Sequence, residues 1–144
     1  MTFDESRLPL VVIRIAGDLS TEGIHELERK IDALLDRHQP YALVWDMLDA
    51  KVPNRHNIME LLRWSKRSRL RAREEYALGP EPIPSYAAYV MRPTMVKVLL
   101  FLEQMTPQPD MPTGVFESVA EGIDAAEAML ERFGCPAPLR GSRE

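Results

Sequence analysis

The chain has a single cysteine, Cys135. That excludes an internal disulfide and any zinc site built on thiolates. Its three histidines, His25, His38 and His56, have no partner at metal-ligand spacing; His25 and Glu28 stand three apart, as do many surface pairs on helices. Neither Ser65 nor Ser68 has a base nearby in sequence, so no nucleophile can be located, and no cofactor or metal is expected. The longest apolar run, Val98 to Leu102, is far too short to span a bilayer. The opening Met-Thr-Phe-Asp-Glu-Ser is acidic and lacks an apolar secretion core, so no signal peptide is expected and the cytoplasm is the default location. A net charge of -4 argues against the chain as a whole binding nucleic acid. What remains is 144 residues, 45% apolar and 28% charged, which suits one soluble globular domain with a real core.

The centre of the pattern is Tyr41 to Met47, Tyr-Ala-Leu-Val-Trp-Asp-Met. It is a short apolar run opened by Gln39-Pro40 and closed by one acid. A charge ending a buried strand must sit where water or donors reach it, which places Asp46 at the carboxyl edge of a sheet. Met1 to Arg7 reads as polar and loose, and Leu8 to Ile15 as a strand with Pro9 near its start. Ser20 or Thr21 can cap a helix carrying Ile24, Leu27, Ile31, Leu34 and Leu35 on one face, ending near His38. Leu48 to His56 reads as a loop, followed by Asn57 and Glu60 at capping-box spacing and a second helix. Gly79 to Pro84 forbids helix, Tyr86 to Met91 reads as a strand, and Arg92-Pro93 opens a third helix with Met95 to Met105 as its body. Thr106 to Pro112 is a second proline-rich loop, and Gly114 to Glu117 a short strand. Ser118 and Glu121 make a capping box for a last helix with Val119, Ile123, Ala126, Leu130 and Phe133 toward the core. Gly134 is its expected left-handed stop, so the domain covers 1–134 and 135–144 is a flexible tail. Strand and helix alternating in this way imply an α/β fold with a mostly parallel sheet, helices packed on it, and right-handed crossovers.

Several short motifs recur in an order associated with a known family. They are Gly17-Asp18-Leu19-Ser20, Leu43-Val44-Trp45-Asp46, Ala87-Ala88-Tyr89-Val90, Val115-Phe116-Glu117-Ser118, Ala125-Ala126 and Met129-Leu130. In that order and spacing the stretch from Leu8 to Phe133 resembles the SpoIIAA-like (STAS) superfamily. The resemblance implies a four- or five-stranded sheet and a non-enzymatic regulatory or binding module. It also implies, in the antagonist members, a phosphorylated Ser in an Asp-Ser-Ser-Gly-like turn entering the helix after the central strand. Here residues 48 to 57 contain no Ser or Thr, so a kinase-driven switch at that place is not expected. Another branch of the superfamily looks like lipid- or small-ligand-binding domains.

Three features are candidates for function, and each has a plain structural reading beside it. Asp46, Asp49, Arg55 and His56 converge on one sheet edge, with Arg92 arriving from the next strand. They form an anion- or partner-binding rim, or else Asp46 takes donors from its loop and the others are solvated. Arg63, Arg67 and Arg71, spaced by four on the second helix, form a docking face for an acidic protein, a phosphate-bearing ligand or a membrane surface, or a solvated face balanced by acids elsewhere. Only Trp64 and Tyr76 on that helix could stack on bases, which disfavours nucleic acid further. The third helix is apolar on nearly every side; it forms a homodimer interface or lines the pocket of a small apolar or anionic ligand, or is simply buried. The sequence thus supports a module that binds a protein partner or a second copy of itself, with a small-ligand carrier as the alternative and an enzyme last.

Overall fold

The computed structural model describes residues 1–77, 84–105 and 112–139; the side chains at 68–70, 72–77, 102, 103 and 105 lie outside that description. Along the chain run β1 (Thr2–Arg7), β2 (Leu10–Arg14), α1 (Thr21–Asp36), β3 (Tyr41–Asp46), α2 (Arg55–Ala77), β4 (Ser85–Val90), α3 (Pro93–Met105), β5 (Thr113–Phe116) and α4 (Val119–Arg132). The sheet order follows the chain, β1-β2-β3-β4-β5. β2 to β5 are parallel neighbours and β1 is antiparallel to β2, so the sheet is mostly parallel, as the sequence implied. The two proline-rich connections foreseen at Gly79–Pro84 and Thr106–Pro112 fall largely outside the described residues.

The α/β expectation holds, with one correction at its start. Residues expected to be loose form β1, and the strand read from Leu8 to Ile15 is shorter, with Leu8–Pro9 turning the chain through a cis peptide bond. β1 is polar, so strand periodicity does not show in its sequence. Phe3 holds it by packing on the core below it, and the Lys30 ammonium lies 5.4 Å from the centre of that ring while bonding Glu5 at 3.2 Å. A register break follows Asp4, whose carboxylate accepts from both the hydroxyl and the amide of Ser6; those bonds hold Asp4 below the usual carboxylate range.

β3 has helices over both faces. Leu43 and Trp45 point into a core shared with α1, through Ile24, Leu27, Ile31, Leu34 and Leu35, and with Leu61 and Trp64 of α2. Ala42 and Val44 point the other way, against Ala126 and Leu130 of α4. α4 lies close because it presents small residues. A Cβ on Gly122 would stand 2.9 Å from a Val90 methyl and 3.3 Å from a Val44 methyl. The last helix begins and ends as its sequence indicates. Ser118 Oγ accepts from the Glu121 amide, and Gly134 is left-handed, with its N–H on Glu131 O and the Cys135 N–H on Leu130 O. Beyond it, Ala137 packs on the α4 side and Arg7 binds the Pro138 carbonyl at 2.8 Å and Glu127 at 2.8 Å.

Two stability outcomes follow from this packing. Gly122→Val has no room to expand against the fully buried Val90 and should lower the unfolding free energy by about 2–3 kcal/mol in urea titrations followed by circular dichroism. Burial raises Tyr86 above the ordinary tyrosine value of 10.0, so the folded chain keeps this proton where the unfolded chain loses it. Stability should therefore fall as pH rises past 10, and the same urea titrations at pH 8 and 11 should show a smaller fall for Tyr86→Phe.

Candidate functional site

The carboxyl ends of the parallel strands share one rim. β2 ends on Arg14, β3 on Asp46 and β4 on Val90, and Asp46 stands in register between Arg14 and Val90. Asp46 is half-buried; its carboxylate faces the Leu48 amide at 3.4 Å and the Arg14 guanidinium at 3.9 Å. Arg14 reaches Asp49 at 3.0 Å, and Arg92, just past β4, approaches the other oxygen of Asp49 at 3.9 Å. The structure thus brings Asp46, Asp49 and Arg92 together and adds Arg14. The missed signal was the arginine itself: a charge closing the apolar run Leu-Val-Val-Ile marks a strand end as surely as Asp46 does.

Backbone bonds fasten the loops of this rim to each other. The Gly17 amide donates to Asp49 O at 2.8 Å and the Lys51 amide returns to Gly17 O at 2.9 Å, a bridge that Gly17 makes with a left-handed φ of 70°. The Asn57 side-chain amide donates to Leu19 O at 2.7 Å, tying the first turn of α2 to the loop before α1.

That first turn corrects the capping assignment. The helix starts at Arg55, one turn before the expected box, because Asn54 Oδ1 accepts from the Asn57 amide at 2.9 Å. Pro53-Asn54 reads as loop in the sequence, yet Asn directly after Pro is a good cap. Arg55 and His56 consequently belong to the first turn rather than to the loop. Both are exposed, and neither has an ion-pair or hydrogen-bond partner among the described residues; the same is true of the Lys51 ammonium. The first turn carries no acid.

The arginines of α2 stand apart from this rim. Arg63 pairs with Glu60 on its own helix at 3.0 Å. Arg67 reaches Glu28 of α1 at 3.2 Å, and Arg71 holds Asp32 at 2.6 Å and also Asp36. The bonds to Asp32, and less strongly to Asp36, push the Arg71 guanidinium above its usual value against the opposing effect of burial. Both helices return antiparallel to the parallel strands, so they run side by side in one direction. Acids at 28, 32 and 36 then meet arginines at 67 and 71 in matching order. Two ladders of opposite sign with the same four-residue step were the available signal. Arg69 and Arg73 lie outside the described side chains.

On α3, Met95 is buried, whereas Leu100 is 52% and Phe101 45% exposed. No group of three or more His, Cys, Asp or Glu side chains that could hold a metal occurs among the described residues, and among them no helix is long and apolar enough to cross a membrane. Because exposed ion pairs contribute little, Arg63→Ala should leave stability within about 0.5 kcal/mol, while Arg71→Ala, which cuts two links between helices, should cost about 1 kcal/mol in urea titrations at low salt.

Neither a family model nor a curated protein sequence matches this chain. Among solved structures it is similar to that of the anti-sigma factor antagonist SpoIIAA in its unphosphorylated form, with 19% identity and a TM-score of 0.54 over 86% of this chain and 94% of that one. A crystal structure of an anti-sigma factor antagonist from Mycobacterium paratuberculosis matches at 17% identity and a TM-score of 0.47, covering 87% of this chain and 92% of that one. The likeness to SpoIIAA agrees with the motifs read from the sequence and shows the fold: this chain has an α/β fold like that of SpoIIAA.

Proposed function

We propose that this chain is a non-enzymatic regulatory module of the cytoplasm that works by docking a protein partner at the carboxyl rim of its sheet. The observation that carries the reading is the first turn of α2. Arg55 and His56 stand exposed there without partners, on a rim made rigid by the Gly17–Lys51 bridge and the Asn57–Leu19 bond. Arg92 and Lys51 add positive charge beside them, while Asp46 and Asp49 hold Arg14 and Arg92 in place. The partner's matching surface is acidic. The SpoIIAA structure supports a partner that is a protein, since that molecule is an anti-sigma factor antagonist. Residues 48–57 contain no Ser or Thr, so docking here is constitutive rather than gated by phosphate at that turn. Arg63, Arg67 and Arg71 stand apart from this surface, paired with Glu60, Glu28 and Asp32.

A second contact belongs to the same reading. Leu100 and Phe101 expose large apolar surface on α3, and we assign that surface to pairing of two copies.

The rim is tested by the double variant Arg55→Glu/His56→Glu, whose side chains make no contact that folding needs. Immobilised wild-type chain should retain a protein from its native extract that the variant, with an unchanged circular dichroism spectrum, fails to retain; equal retention by both would refute the rim. Leu100→Asp should convert a dimer to a monomer in light scattering, and a wild-type chain already monomeric at 100 μM, the concentration chosen for the run, would remove the α3 pairing.

A further inference from the structure

Charge is not the whole of the surface around the first turn of α2. Val52, in the loop before the helix, is 48% exposed, and Met59, one turn into it, is 47% exposed. Arg55 and His56 lie between them along the chain. At helical spacing Met59 follows Arg55 by four residues and His56 by three, so all three share one face. Arg63 is the next residue of that stripe, and it is already paired with Glu60. No exposed residue from 51 to 63 is acidic. Unpaired positive charge therefore stands at the helix start, with exposed apolar side chains directly before and after it.

The step between charge and apolar surface selects the shape of what fits. Arg55 and Met59 are separated by about 6 Å along the helix, four residues at about 1.5 Å each. A second helix laid along α2 offers the same step between its own positions i and i+4. An extended segment would turn its backbone amides toward the side of a helix, whose backbone groups are already bonded, whereas a helix satisfies its own. Charge settles the rest: an acid answers Arg55, and an apolar side chain takes Met59 out of water.

We infer that the partner docks here with an amphipathic helix, an acidic side chain meeting Arg55 and a large apolar side chain four residues away covering Met59. Met59 and Val52 are the apolar part of the docking surface. The inference rests on docking at the rim and adds to it the helical, half-apolar character of the partner.

Two synthetic alanine-rich peptides of about 18 residues, long enough to form helix in water, test it. One carries Glu and Leu four residues apart on one face; the other has Ala in place of Leu. Binding to the full chain is followed in methyl spectra of the methionine-labelled protein, where Met59→Gln identifies the Met59 signal. The Leu peptide should bind about tenfold more tightly than the Ala peptide and should move that signal. Met59→Gln, at an exposed helical position that Gln suits, should remove most of the difference between the peptides. Arg55→Gln should weaken both peptides alike. Equal affinity of the two peptides, or a Met59 signal that stays in place, overturns the inference; docking by charge still stands in that case if Arg55→Gln weakens both. If neither peptide binds at millimolar concentration the helical partner is refuted, and the retention experiment with Arg55→Glu/His56→Glu decides on the rim separately.

Discussion

Everything in this structure follows from β3 being covered on both faces. Leu43 and Trp45 meet α1 and α2; Ala42 and Val44 meet α4. A strand in that position has no wet side on which to carry a polar group, so its first charge, Asp46, can come only where the strand leaves the sheet. The neighbours obey the same constraint, and β2 reaches its own charge at Arg14, in register with Asp46. Polar chemistry is thereby driven to one rim by the burial that stabilises the fold. The rim owes its rigidity to the same cause, because the loops leaving adjacent parallel strands lie close enough to bond through their backbones at Gly17, Asp49 and Lys51.

How much of this could be read from residues alone depends on whether the signal was local. The amphipathic stripes of α1 and α4, their serine caps and the left-handed Gly134 are local, and they stand where the sequence puts them. β1 is not local. Its six residues hold one large apolar side chain, and they are a strand because Phe3 and Lys30 find each other across the fold. The cap of α2 was missed for a related reason: Asn54 and Asn57 both have capping chemistry, and the choice between them was settled by Asn57 turning outward to bind Leu19 O. At the candidate site, Asp46, Asp49 and Arg92 could be grouped from the topology; Arg14 closes its own apolar run, but its place beside Asp46 required the register of β2 on β3.

The arginines of α2 show how a charge pattern changes meaning once its neighbours are known. Read along one helix, Arg63, Arg67 and Arg71 form a basic stripe. Beside α1, Arg67 and Arg71 complete ion pairs with Glu28, Asp32 and Asp36, and their charge is matched by acids at the helix contact. Counting like charges on one element therefore overstates the field that a partner would meet. Charge that remains available has to be sought among side chains with no such link.

That search leads to the start of α2, where electrostatics and stability disagree. The N-terminus of a helix carries partial positive charge, and acids in the first turn stabilise it by a few tenths to about 1 kcal/mol each. α1 and α4 follow that rule with Glu22 and Glu121. α2 reverses it: Asn54 supplies the capping hydrogen bond without charge, and the next two residues are Arg55 and His56. Both the helix field and the Arg55 guanidinium then point positive charge outward from the same rigid turn, with the His56 ring exposed beside them. Folding gains nothing from this placement, since neither side chain has a partner within the described residues. An acidic surface arriving from outside would reverse the sign of the interaction, and the local cost of the arrangement would become a contribution to binding.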